Sequence, residues 1–351
     1  MSFGEPGART EEDSLERAAA AGIHRLAIPT PFLVGRVNCY LIDDSPMTLI
    51  DTGPNSGKSL DELERALSAH GHAIEELELI VLTHQHMDHL GLLEILARRS
   101  GAEVAAIDLL AGYLSDFSAS AAADDEFARG VMRRHGVPED LAAALASVGA
   151  AFRAFGSRGT VSRPLRDGDR LVLRDRTLQT LHRPGHSPTD TVFFDAARGI
   201  AFAGDHLLAR ISSNPLISRP LSDADGGVRP RALIQYLESL RATRELDAEL
   251  LLPGHGPPIT NHPALIDERL ALHRRRAEKI LELLARGPMT AYDLAVEMWG
   301  NVAVTQAYLT LSEVLGHLDV LTSEGRVVEL DSGLVATFAP APSAQAAAAT
   351  P

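Results

Sequence analysis

Thr83-His84-Gln85-His86-Met87-Asp88-His89, placed directly after the apolar run Leu77 to Leu82, is the stretch on which the fold turns. Four side chains able to bind a metal fall within six residues, where a strand is expected to give way to a helix. In His84-x-His86, two imidazoles at alternate positions of an extended segment leave on the same side, so they can reach one ion together. Asp88 and His89 point elsewhere and can hold a second ion, roughly 3.5 to 4 Å away in two-metal hydrolases. Gln85 and Met87 read as spacers.

Three further signatures lie downstream, each just after text that reads as a buried strand: Pro184-Gly185-His186-Ser187, Gly204-Asp205-His206 and Pro253-Gly254-His255-Gly256. Imidazoles and carboxylates gathered at strand ends are costly to desolvate without a partner, and a divalent cation is such a partner. Asp205, which ends the run Gly199-Ile200-Ala201-Phe202-Ala203, is the best candidate to bridge two ions, with His186 and His255 completing the two sites. The alternatives are a surface loop or a satisfied histidine pair for His84 and His86, and packing roles for His182 and His206. His24, His70, His72, His135, His262, His273 and His317 carry no functional pattern. Cys39, in an apolar stretch, reads as a small buried residue.

The unbroken H-x-H-x-D-H pattern, followed in order by His186, Asp205 and His255, resembles the metallo-β-lactamase-fold hydrolase superfamily, in its dinuclear branch with glyoxalase II and the lactonases. The resemblance covers roughly residues 25 to 262. It implies an α/β fold, an αββα sandwich, with His84, His86 and His186 on one metal, Asp88, His89 and His255 on the other, and Asp205 between. Asp51, in Thr48-Leu49-Ile50-Asp51-Thr52-Gly53, matches the carboxylate that sits behind the ligands and orients them. Two divalent ions are expected, zinc first, with iron or manganese compatible with nitrogen and oxygen donors. They would lower the pKa of a shared water so that hydroxide attacks a carbonyl or phosphorus, with Asp88 or Asp205 relaying the proton.

Composition bounds the rest. The 351 residues leave room for a second domain. One cysteine excludes an internal disulfide, and the polar, acidic N-terminus lacks the pattern of a signal segment; both suit the cytoplasm. No apolar run is long enough for a membrane span. A net charge of −14 opposes a nucleic-acid partner over the whole surface.

For organisation, residues 1–22 read as a flexible arm and 23–262 as the metallo-β-lactamase-fold domain. Within it a helical insertion at about 109–158 is expected to act as a lid on an apolar pocket, Tyr113 and Phe117 touching substrate, or else to make a homodimer contact. Arg210 and Arg219, after Asp205, are candidates to hold a substrate carboxylate or phosphate. Residues 263–340 read as three helices and a hairpin, a winged helix resembling the C-terminal domain of the lactamase-beta-2-like branch, and 341–351 as a disordered tail. The first functional expectation is hydrolysis of a small ester, thioester or lactone. Single-strand ribonuclease action is the alternative, followed by β-lactam hydrolysis, which is disfavoured because dedicated lactamases usually carry Cys where Asp205 stands. A metal-stabilised binding protein is the non-enzymatic alternative.

Overall fold

Short apolar strands in the first two thirds of the chain build two sheets. The computed structural model describes residues 10–222, 228–331 and 333–342. The first sheet has the order β1 (Ile23–Ile28), β2 (Val37–Ile42), β3 (Thr48–Ile50), β4 (Leu79–Val81), β5 (Glu103–Ile107), β6 (Arg163–Leu165). The second contains β7 (Arg170–Val172), β8 (Thr177–His182), β9 (Thr191–Asp195), β10 (Ile200–Gly204) and β11 (Leu250–Pro253), in reverse order across the sheet.

Side chains alternate across a strand, and the buried positions follow that rule. Ile50, Leu79 and Val81 share one core with Phe193, Ile200, Phe202, Leu250 and Leu252 of the other sheet, so the sheets face each other. Ile80 and Ala201, one position out of phase, are also fully buried, as expected of strands covered on both faces. β3, β4 and β5 run parallel. In the second sheet β9 is antiparallel to both β8 and β10, and β11 is parallel to β10, so β8, β10 and β11 end at one edge.

The helices are α1 (Glu11–Ala20), α2 (Gly57–Ala69), α3 (Met87–Leu90), α4 (Leu93–Ser100), α5 (Leu109–Ser115), α6 (Phe117–Arg134), α7 (Glu139–Phe152), α8 (Ala232–Arg244), α9 (His262–Leu284), α10 (Ala291–Trp299), α11 (Val302–Thr305) and α12 (Ala307–Ser323). A hairpin of β12 (Val327–Asp331) and β13 (Ala336–Pro340) follows. Among the described residues no helix is long and apolar enough to cross a membrane.

Two expectations are corrected. The first is the loose arm: residues 11–20 form α1, whose start is closed by a reciprocal pair, Thr10 with Asp13. Such capping satisfies amide groups that a helix start leaves open. Ala18 enters the sandwich core and Arg17 pairs with Glu249 at 2.7 Å, which fastens the helix. Residues 1–9 of the arm, and 343–351 of the expected tail, lie outside the described residues.

The second correction concerns the insertion, which divides between two compact units. The first unit comprises Met1–Ala121, Ala151–Ser213 and Ser239–Ile266; the second comprises Ala122–Ala150, Asn214–Glu238 and Asp267–Pro351. Met132, Val137 and Ala142, from the middle of the insertion, share a core with Ile280, Leu284, Leu294, Leu311 and Leu315 of α9, α10 and α12. Helical periodicity shows that a face will be buried but not which core receives it. Tyr113 and Phe117 stay with the first unit as packing residues, 8% and 6% exposed, their rings in edge contact. The Phe117 ring fills the space a side chain at Gly156 would need, so the expected substrate contacts at these two positions are not carried forward.

Candidate metal centre

Four of the candidate ligands sit just past the end of a strand. His84 follows β4, His186 follows β8, Asp205 follows β10 and His255 follows β11, while Asp88 and His89 lie on α3. Ligand atoms of His84, His86 and His186 lie within 4.8 Å of one another, and so do those of Asp88, His89 and His255. Asp205 forms a third such group with His84 and His89 and thereby joins the two triads. Its Oδ1 lies 3.5 Å from His89 Nε2, and its Oδ2 lies 3.8 Å from His186 Nε2 and 3.5 Å from His255 Nε2.

The backbone had to permit this crowding. Gly254 packs so tightly that a Cβ there would stand 2.3 Å from Asp205 Oδ1 and 2.6 Å from His89 Cε1. Gly204, at φ +47°, turns the chain at the end of β10 in a conformation that favours glycine.

One carboxylate orients an imidazole of each triad. Asp51, itself at φ +58°, accepts from the Thr83 amide (2.8 Å) and the Thr83 hydroxyl (2.7 Å), and from His89 Nδ1–H (2.8 Å). Because the Thr83 hydroxyl donates to Asp51, it accepts from His84 Nδ1–H at 3.0 Å. Both rings are thus held by Nδ1 with Nε2 turned inward. His255 is set likewise, its Nδ1–H donating to the Arg36 carbonyl at 2.8 Å. Asn38 and the Tyr40 hydroxyl donate to the Pro253 carbonyl and fasten the turn that carries His255. Gln85, read as a spacer, instead interlocks with Thr189, whose hydroxyl accepts from the Gln85 amide and donates to its side chain. His182 bonds the Pro188 carbonyl and His206 bonds Thr243, the packing roles weighed for them.

Charge and burial test whether ions suit this site. His89 Nε2, Asp205 Oδ1 and His255 Nε2 are buried without a hydrogen-bond partner, a costly state that a cation would relieve. His86 Nδ1 lies 3.0 Å from His84 Nε2 and 2.9 Å from His186 Nε2, so three ring nitrogens converge on one point. Burial, and then the neighbouring imidazole of His186, pushes His86 down to about 3, which keeps it a neutral donor. Burial would also lower His89, but Asp205, Asp51 and Asp88 outweigh it and hold His89 well above the ordinary value. His255 is likewise raised, against its burial, chiefly by Asp205 and Asp88. The residues therefore fit a pair of divalent ions.

That balance predicts a pH dependence. A raised pKa means that the proton competes with the ion for Nε2, and binding must expel it. Zinc affinity should fall on acidification as His89 and His255 take up protons and recover with alkali, as measured by chelator competition across a pH series. An affinity independent of pH would contradict the assignment of these two ligands.

The substitution Asp51→Asn tests the shared anchor. An amide turns one side of the group into a donor, which must then face either the Thr83 amide or the Thr83 hydroxyl and His89 Nδ1–H. Loss of such an outer partner costs about 10- to 100-fold in metal affinity or activity, and here both ions should be weakened, as read by zinc content after dialysis against a chelator. Full retention of zinc would remove Asp51 from this role.

The arginines expected to hold substrate lie elsewhere. Arg219 pairs through Nε with Asp124 at 2.7 Å within the second unit, and Arg210 is exposed on the chain after Asp205.

A sandwich of two sheets whose strand ends gather five histidines and two aspartates into adjoining donor groups defines a metallo-hydrolase. Residues 33–255 match the family described as the Metallo-beta-lactamase superfamily, and the chain belongs to it. It is 34% identical over 313 residues to the "Probable metallo-hydrolase YqjP" of Bacillus subtilis, covering 89% of this chain and 96% of that one. An "Atrochrysone carboxyl ACP thioesterase" of Emericella nidulans is 24% identical over 71% of this chain and 61% of its own length. Among solved structures, a metallo-beta-lactamase family protein of Thermus thermophilus superposes with a TM-score of 0.75 at 27% identity, covering 91% of this chain and 98% of that one.

Proposed function

We propose that the chain hydrolyses an ester, thioester or lactone of a small acyl substrate at a dinuclear site, with zinc as the ion. The observation that carries this reading is the pair of donor triads joined through Asp205, with His89 Nε2, Asp205 Oδ1 and His255 Nε2 buried without a hydrogen-bond partner. Bound divalent ions supply an activated water and stabilise developing negative charge. Asp51, through Thr83 and His89, holds the imidazoles in register, so little reorganisation is needed at reaction. Water adds to the acyl carbon, the bond to sulfur or oxygen breaks, and the leaving group takes up a proton. The proton transfer falls to Asp88 or Asp205, since each faces His89 and His255: Asp205 at 3.5 Å from both Nε2 atoms, Asp88 at 4.0 and 3.2 Å. Burial raises the Asp88 pKa, but His89 and His255 overcome it and keep the carboxylate ionised and able to accept.

Thioester chemistry draws support from the fungal thioesterase among the relatives. Ribonuclease action would need a track of several cations along a strand. The one concentrated basic run, Arg274 to Arg276, is shortened because Arg276 is held by Glu313 at 2.6 Å. We read residues 263–340, from α9 to the β12–β13 hairpin, as a winged helix with a structural or dimerising role, and the protein as cytoplasmic.

A panel of activated esters, acyl thioesters, lactones and single-stranded RNA tests the proposal on zinc-loaded protein. At least one acyl substrate should turn over with little salt dependence, and RNA should be cut weakly or not at all at physiological salt. Efficient RNA cleavage lost in Asp88→Ala, with no turnover across the acyl substrates, would overturn it.

A further inference from the structure

We propose that His273, Glu313 and His317, inside the second unit, form an additional site for a zinc-class divalent cation, separate from the donor groups around Asp205. Glu313 and His317 lie one turn apart on α12, so they share a face, and His273 comes from α9. One ligand atom from each of the three lies within 4.8 Å of the others, and all three side chains are buried. His273 Nδ1 stands 3.3 Å from His317 Nε2 and 3.8 Å from Glu313 Oε1. Two nitrogens on a tetrahedral zinc, each at about 2.0 to 2.1 Å, are about 3.3 to 3.4 Å apart. The imidazole pair already has that spacing.

Orientation supports the same conclusion. His317 Nδ1–H donates to the Glu313 backbone carbonyl at 2.7 Å, which leaves Nε2 with its lone pair toward His273. A ring so fixed by its far nitrogen is the usual state of a metal-binding histidine.

A competing cation is present. The Arg276 guanidinium neutralises Glu313 at 2.6 Å. Its side chain, 26% exposed, keeps this end of the cluster in contact with solvent. The ion must share or displace that contact, so this site should be weaker than the groups around Asp205, whose ion pairs among the described residues are all between histidine and aspartate.

Zinc titration of the full-length protein, with bound metal counted by elemental analysis, tests the site. At saturating zinc the native chain should bind one ion more than His317→Ala, while hydrolytic activity is equal in both. Arg276→Gln should bind that ion about tenfold more tightly, since a nearby like charge shifts a cation's binding by an amount comparable to a pKa unit or more. Equal zinc content in native protein and His317→Ala at every concentration, with no tightening in Arg276→Gln, would overturn the proposal. If His317→Ala does not fold, the Arg276→Gln titration decides: an additional ion bound more tightly supports the site, and an unchanged isotherm refutes it. The readout is a difference between variants, so failure of the dinuclear reading would lower the total count and leave this difference intact.

Discussion

Asp205→Ala should abolish hydrolysis and release at least one of the two ions, with the fold retained. The carboxylate links the triads: its Oδ1 faces His89, and its Oδ2 faces both His186 and His255. Burial works to raise its pKa, but His255, His89 and His186 prevail and hold it well below the usual carboxylate range, so it meets the ions as an anion. Alanine would leave His89 and His255 buried around an emptied position. Loss of an outer partner costs about 10- to 100-fold, and loss of a direct shared ligand should exceed that. The checks are zinc per chain by elemental analysis and turnover of the best acyl substrate, with circular dichroism to confirm folding. Two ions and unimpaired turnover in this variant would mean that the bridge is elsewhere.

The residues of the donor groups were legible because each kind of signal was local. His84, His86, Asp88 and His89 stand in one run, and His186, Asp205 and His255 each follow a strand that its apolar pattern betrays. Apart from Asp51, which the resemblance supplied, their supports were not legible, since they act across the fold or through main-chain atoms. Thr83 gains its meaning only when β3 lies beside β4 and brings Asp51 to its hydroxyl. Asn38 and Tyr40 hold a carbonyl 213 or more residues away, at Pro253. The Arg36 carbonyl that orients His255 has no side-chain signature at all. Domain division failed for a related reason: Met132 and Val137 lie on an amphipathic face, and nothing in its periodicity says that the partner is α9 and not the sandwich. Likewise α1 is charged and short of apolar residues, and its anchoring rests on Thr10, Asp13, Arg17 and Ala18 individually. His273 and His317 were passed over because they are 44 residues apart and neither stands in a metal-binding pattern.

Gly254→Ala should disable the centre nearly as fully as loss of a ligand, although the new methyl group carries no chemistry. A Cβ would lie 2.3 Å from Asp205 Oδ1, 2.6 Å from His89 Cε1 and 3.2 Å from the Gly204 carbonyl carbon. The backbone cannot easily retreat, because the Gly254 amide donates to Gly204 O at 2.7 Å and its carbonyl accepts from the Asn38 amide at 2.6 Å. Relief must therefore come from Asp205 and His89, the two side chains that join the metal groups. Overpacking of this kind costs about 1 to 3 kcal/mol where neighbours can yield, so the fold should survive with a lowered melting temperature while the donors are pushed out of register. A misplacement of about 1 Å in reacting groups can cost 10²-fold in rate. The expected result is folded protein with fewer than two ions and turnover reduced by about that factor or more. Native zinc content and turnover in Gly254→Ala would show that the site has slack, and that the close approach of the Pro253–Gly256 turn is not what holds Asp205 and His89 in place.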